Sequence, residues 1–133
     1  MSVAYVDTSV VVSIMFEEND FMGAWQLLKK SDTLVSDRLL ISELYSVLRR
    51  EDVEFKKASA LIDSFSYLEH IDLRDQLEEG LESGSIRGAD CHHLAAALWT
   101  AGKHPSQLVF LTFDQKQSER AVSLGMQCPL HKW

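Results

Sequence analysis

Short apolar runs alternate with helix-spaced stripes along this chain, and that alternation restricts its fold more than any other feature. Val3-Ala4-Tyr5-Val6 and Leu108-Val109-Phe110-Leu111 are unbroken apolar runs, the pattern of strands covered on both faces. The first run predicts a strand over 3–6, followed by a helix over about 9–16 with Asp7 or Thr8 as its N-cap. Phe21, Ala24, Leu27 and Leu28 recur at helical spacing within 20–31. Thr33-Leu34-Val35 reads as a short strand that leads through Ser36-Asp37 into a helix over 38–50. A helix over 54–67 uses Phe55, Ala58, Leu61, Ile62 and Phe65. A brief strand at His70-Ile71, a helix over 73–82 and a turn at Gly84–Gly88 follow. The pattern ends with a helix over 90–101, the strand at 108–112, a helix over 115–124 and a final strand at 126–128. Strands alternating with helices predict a mostly parallel sheet covered by helices on both faces. Ligands of such folds sit beyond the carboxyl ends of the strands.

Composition sets the remaining bounds. The 133 residues are 46% hydrophobic, enough for one domain spanning 1–133 with a substantial core. Two prolines and six glycines are too few to mark a linker. No apolar run approaches the roughly 18 residues that suggest a membrane span. The N-terminus lacks a basic start and a small-residue cleavage site, so a cytoplasmic location is expected. Cys91 and Cys128 are read as reduced, structural thiols. The net charge of −7, from 13 basic and 20 acidic residues, argues against nucleic-acid binding by bulk electrostatics. It does not exclude cutting nucleic acid at a site whose acids are offset by cations, and it invites a cationic partner.

Four acids stand where this topology would turn them toward one point. Asp7 ends the first apolar run, and Asp114 closely follows the second. Glu43 borders the stripe Leu40, Leu44, Val47 and Leu48, while Asp90 lies one turn before Leu94, Ala97, Leu98 and Ala101. Crowded carboxylates repel, and some take up protons unless a cation stands between them. Oxygen-only ligation suits Mg²⁺ or Mn²⁺, which activate water and stabilise a leaving oxygen in phosphodiester hydrolysis. Each acid also has a structural reading. Asp7 and Asp90 could simply cap helices, Glu43 could be solvated or paired with an arginine, and Asp114 with Gln117 resembles a capping box.

The four acids fall within motifs that resemble those of PIN-domain ribonucleases, in particular the VapC toxins of bacterial and archaeal toxin–antitoxin pairs. Val6-Asp7-Thr8-Ser9 is similar to their first motif and Ile41-Ser42-Glu43-Leu44 to the second. Ala89-Asp90-Cys91-His92-His93-Leu94-Ala95-Ala96-Ala97 is similar to the third, and Leu111-Thr112-Phe113-Asp114 to the fourth. The resemblance covers nearly the whole chain in order. It implies a three-layer α/β/α domain in which Asp7, Glu43, Asp90 and Asp114 bind one or two Mg²⁺ or Mn²⁺ ions for endonucleolytic cleavage of RNA. It further implies supporting hydroxyls at Thr112 and Ser9. The implied partners are a second copy, as a homodimer, and a small antitoxin with a DNA-binding module whose tail places a basic side chain in the site. Many family members carry another acid at the position of Gln117, so this departure leaves the number of metals open.

Arg38 and Arg87, close to the acidic motifs, are the best substrate-binding candidates. Arg49-Arg50 and Lys56-Lys57 read as solvated helix faces. His92 and His93 are neighbours that cannot point the same way on a helix, and both are assigned packing roles. Trp25, Trp99 and Trp133 are expected in cores or a subunit contact. A dehalogenase-like phosphotransferase would need a second Asp where Ser9 stands, and no glycine-rich phosphate loop is present. The alternatives that stay open are a catalytically inactive PIN-like scaffold or RNA-binding module, and an RNA-processing nuclease without an antitoxin.

Overall fold

The computed structural model describes residues 2–133. The elements run β1 Val3–Val6, α1 Thr8–Phe16, α2 Phe21–Lys30, β2 Thr33–Asp37, α3 Leu39–Arg50, a 3₁₀ turn at Phe55–Ala58, α4 Ser59–Asp63 and β3 Ser66–Leu68. They continue with α5 Arg74–Leu81, α6 Gly88–Ala101, a 3₁₀ turn at Pro105–Gln107, β4 Leu108–Leu111 and α7 Gln115–Ser123. The four strands form one all-parallel sheet in the order β3-β2-β1-β4.

Strand periodicity separates two hydrophobic cores. Ala4, Val6 and Leu111 face a cluster with Val10, Val11, Leu28, Leu40, Leu44 and Leu48, which belong to α1, α2 and α3. Tyr5, Leu108 and Phe110 face the opposite cluster, where Leu94 through Leu98 of α6 and Ala121 of α7 pack. Alternate residues of one strand therefore feed opposite layers, as the period of two requires, and the architecture is a three-layer α/β/α sandwich. Each fully buried leucine contributes about 1.5–3 kcal/mol relative to an exposed one. Helix α1 forms from Thr8-Ser9-Val10-Val11-Val12, a β-branched stretch of modest helix propensity. The Asp7 cap at its start and the burial of Val10 and Val11 override that preference.

Four local expectations are corrected. The segment 54–67 is not one helix. The Ser64 hydroxyl donates to the Leu61 carbonyl as α4 ends, and the apolar-aromatic stretch that follows pairs with β2 as an edge strand. The strand expected at His70-Ile71 thus lies at Ser66–Leu68, and His70 instead takes a left-handed turn with φ 54°. The strand expected at 126–128 reduces to one bridge, Val109 to Gln127, after Gly125 turns the chain at φ 94°. Helix α6 begins at Gly88, two residues before the expected start.

The site is positioned by topology. From β1 the chain builds outward through β2 and β3, then returns to place β4 on the other side of β1. The order therefore reverses between β1 and β4, which creates a crevice at their carboxyl ends. Asp7 directly follows β1 and Asp114 stands three residues past β4.

Candidate active site

The Asp7 amide donates to the Leu111 carbonyl at 2.9 Å, continuing the β1–β4 ladder to the edge of the crevice. Its buried carboxylate caps α1, with Oδ2 accepting from the Ser9 amide at 3.2 Å, the Ser9 hydroxyl at 2.6 Å and the Thr112 hydroxyl at 3.0 Å. Ser9 Oγ also accepts from the Phe113 amide, and Thr112 Oγ1 accepts from the Asp114 amide at 3.0 Å. The two hydroxyls thus lock the end of β4 to the start of α1 and hold one Asp7 oxygen, while Oδ1 lies 3.8 Å from His93 Nε2.

Asp114 caps α7 by accepting from the Gln117 amide at 2.8 Å. The expected capping box is only half formed. The fully buried Gln117 side chain sets Oε1 2.8 Å from Thr112 Oγ1, whose single proton it shares with Asp7 Oδ2, and donates from Nε2 to the Asp90 carbonyl at 3.0 Å. At the position where many proteins with the resembling motifs carry an acid, a neutral amide joins the end of β4 to the first turn of α6. Asp90 is no cap either: the cap position of α6 is Arg87, which makes no side-chain capping bond. The Asp90 carboxyl is held above the usual carboxylate range, first by burial, then by the charges of Asp7 and Asp114, with Glu43 adding to them; Arg87 opposes the shift. Three other acids therefore act on one carboxyl, and the cation nearest to it, Arg87, stands 3.8 Å from its Oδ2.

Glu43 reaches the same region from α3. Its Oε1 accepts from the Thr8 hydroxyl at 2.7 Å and lies 2.7 Å from His93 Nε2. Burial pushes its pKa up, but the bonds from His93 and Thr8 outweigh burial and hold it below the usual range. His93 is fully buried, 2.7 Å from the Tyr5 hydroxyl through Nδ1 and 3.8 Å from Asp7 Oδ1 through Nε2. Burial acts to lower its pKa, and the Glu43 bond with the charges of Asp7, Glu43 and Asp37 reverses that to a net rise. Assigning both histidines to packing therefore missed a member of the site. The available signal was spacing, since His93 lies three residues after Asp90 on its helix. His92 points elsewhere, with Nε2 3.2 Å from Asp37 Oδ2.

Arg87, Asp90 and Asp114 line an open cleft of about 540 Å³ together with Lys116, a residue the sequence reading did not single out. Arg87 is almost fully exposed, free to meet a polyanion. Arg38 is not comparably free. It pairs with Glu69 and lies over the Tyr67 ring at 5.6 Å, although such an exposed pair is weak and exchangeable. The three tryptophans expected in cores or contacts are exposed in this chain, Trp133 most of all. Cys91 and Cys128 are free and buried.

The donor chemistry suits a hard cation, being carboxylate oxygen with like charges facing one another. Among the described residues, no three His, Cys, Asp or Glu side chains converge tightly enough to enclose an ion unaided. Mg²⁺ usually needs no such cage, because one or two carboxylates with water and substrate phosphate complete its shell.

The fold and site define a parallel α/β/α domain with acids at the crevice where its strand order reverses. A family model described as PIN domain matches residues 4–122. The chain belongs to the PIN domain family, whose members are nucleases. No curated protein matches it in sequence closely enough to serve as a relative.

Proposed function

We propose that the chain is a Mg²⁺- or Mn²⁺-dependent endoribonuclease and the toxin of a type II, VapC-like toxin–antitoxin pair. The observation that carries this reading is the carboxyl of Asp90, which lines the cleft with Asp114 and is pushed upward first by burial and then by the charges of Asp7, Asp114 and Glu43, with only the peripheral Arg87 opposing them. That charge imbalance supports a bound divalent cation, and Asp7, Asp90, Asp114 and Glu43 would hold it. Bound there, such an ion supplies an activated water and stabilises the leaving oxygen.

The residues of the chain do the rest. Ser9 and Thr112 fix Asp7 by occupying Oδ2. Glu43 is held through Oε1, which leaves Oε2 to orient a water molecule. Arg87 and Lys116, on the rim of the cleft, bind the phosphates flanking the scissile bond. The toxin assignment rests on the order of the motifs and on a net charge of −7, which suits an antitoxin with a basic tail. A homodimer is part of the same proposal, checked by light scattering of the purified chain. A catalytically inactive scaffold is the second reading, favoured by the lack of a convergent ligand trio among the described residues.

The deciding experiment is cleavage of total RNA and defined stem-loops by wild type and Asp90→Asn, with and without Mn²⁺. Metal-dependent cleavage lost in the variant supports the nuclease. No cleavage by folded, antitoxin-free wild type favours the scaffold. A short upstream reading frame encoding a DNA-binding protein separates the toxin from a nuclease acting alone.

A further inference from the structure

His93 links parts of the fold that the sheet otherwise separates. Its helix, α6, packs on one face of the sheet with Tyr5, while α3, which carries Glu43, packs on the other. Beyond the carboxyl end of β1 the imidazole spans from the Tyr5 hydroxyl to Glu43 Oε1, 2.7 Å at each end, with Thr8 Oγ1 3.2 Å from Nε2. Leucine would fill a buried helix position without the cost of desolvating two ring nitrogens, so packing alone does not account for a histidine here. The partner at Nε2 is a carboxylate, so that nitrogen carries a proton whether the ring is neutral or charged. The Tyr5 hydroxyl can donate to Nδ1 or accept from it, so the bond on that side also persists in both states. Among the described residues, Thr8 and His93 share Oε1 of Glu43 and no hydrogen bond reaches Oε2.

We propose that His93 is a positioning residue of the acid site: anchored by Tyr5, it clamps Glu43 by one oxygen so that the other stays aimed into the crevice. The role rests on the nuclease reading, because it gives Glu43 a task at the reacting phosphate. It resembles the outer-shell partners that orient metal-site carboxylates, whose loss typically costs 10- to 100-fold.

Two variants separate the ring nitrogens. His93→Gln keeps an N–H donor near the Nε2 position facing Glu43, whereas His93→Asn keeps polarity near Nδ1 and loses the reach. Both remove an aromatic ring from the same buried place, so a merely structural role predicts equal defects. The expected result is that His93→Asn loses roughly 10- to 100-fold in kcat with KM little changed, while His93→Gln recovers most of that loss at a comparable melting temperature. A readout independent of turnover is the ring N–H proton resonance of His93. It should be downfield and protected from exchange in wild type, and should move in Glu43→Ala.

Equal kcat in the two variants, or a resonance indifferent to Glu43→Ala, would overturn the clamp while leaving the nuclease reading intact. Wild type that cuts no RNA but retains the resonance would overturn the nuclease reading while leaving the contact in place.

Discussion

Gln117→Glu tests whether the neutral amide at the centre of the acid network is required. The substitution is nearly isosteric, so packing is conserved and two effects remain. Nε2 no longer donates to the Asp90 carbonyl, where a bond of 3.0 Å stood, and a negative charge enters a fully buried position. Losing one buried hydrogen bond with its partner left bare costs about 1–3 kcal/mol. Burying the charge adds to that until the group protonates. A total of about 2–4 kcal/mol at neutral pH is therefore expected without divalent ions. At about 2.1 cal/mol/K of unfolding entropy per residue, a chain of this length loses about 3.6 °C per kcal/mol. The melting temperature should fall by about 7–14 °C in EDTA, read by circular dichroism. Burial raises the folded-state pKa of the new carboxyl above its unfolded value. Its stability contribution is then full below the unfolded pKa and is lost as pH rises through the folded pKa. The gap to wild type should accordingly narrow toward pH 5 and widen toward pH 8, and Mn²⁺ should close part of it at pH 8 if the new acid meets the cation. A variant as stable as wild type at pH 8 in EDTA would refute the reasoning. A gap that does not change with pH would assign the whole effect to the lost donor.

Asp90→Asn should abolish cleavage yet raise the melting temperature slightly in EDTA at neutral pH, because it removes a charge that burial and three acids oppose; a destabilised variant would contradict this. The folded pKa of Asp90 is raised, so wild type should recover that difference on acidification, as a pH series of melts would show. EDTA should eliminate cleavage and Mg²⁺ or Mn²⁺ restore it, and a divalent ion at 100 times its dissociation constant should stabilise the fold by about 2.7 kcal/mol; rescue by zinc alone would mean different metal chemistry. Arg87→Ala with Lys116→Ala should raise KM for RNA and flatten its salt dependence while leaving the melting temperature nearly unchanged. A fall in kcat alone would remove both residues from substrate binding.

The legibility of this chain follows the range of the forces involved. The unbroken runs at 3–6 and 108–111 could be read because strands buried on both faces leave no other pattern, and the same runs placed Asp7 and Asp114 at the crevice. Glu43 and Asp90 came from helical periodicity, which locates a face but not what it meets. The errors arose where one short contact decides between local alternatives. Ser64 closing a carbonyl split the helix expected over 54–67, and a left-handed His70 moved the edge strand upstream. His93 was hidden for a further reason. Its partners lie 88 and 50 residues away in sequence, on a strand and on a helix of the opposite layer, so its own helix shows only its spacing from Asp90 and not what it meets. Gln117 was noticed as a missing acid, but what it does instead depends on a hydroxyl five residues earlier and a carbonyl 27 residues earlier. In both cases residue type signalled a polar group on a buried face, and tertiary structure supplied its partner. A buried polar side chain on an otherwise apolar helix face, within one turn of an acid, is thus a better pointer to this kind of site than adjacency in sequence, because its desolvation has to be met by a partner from another element.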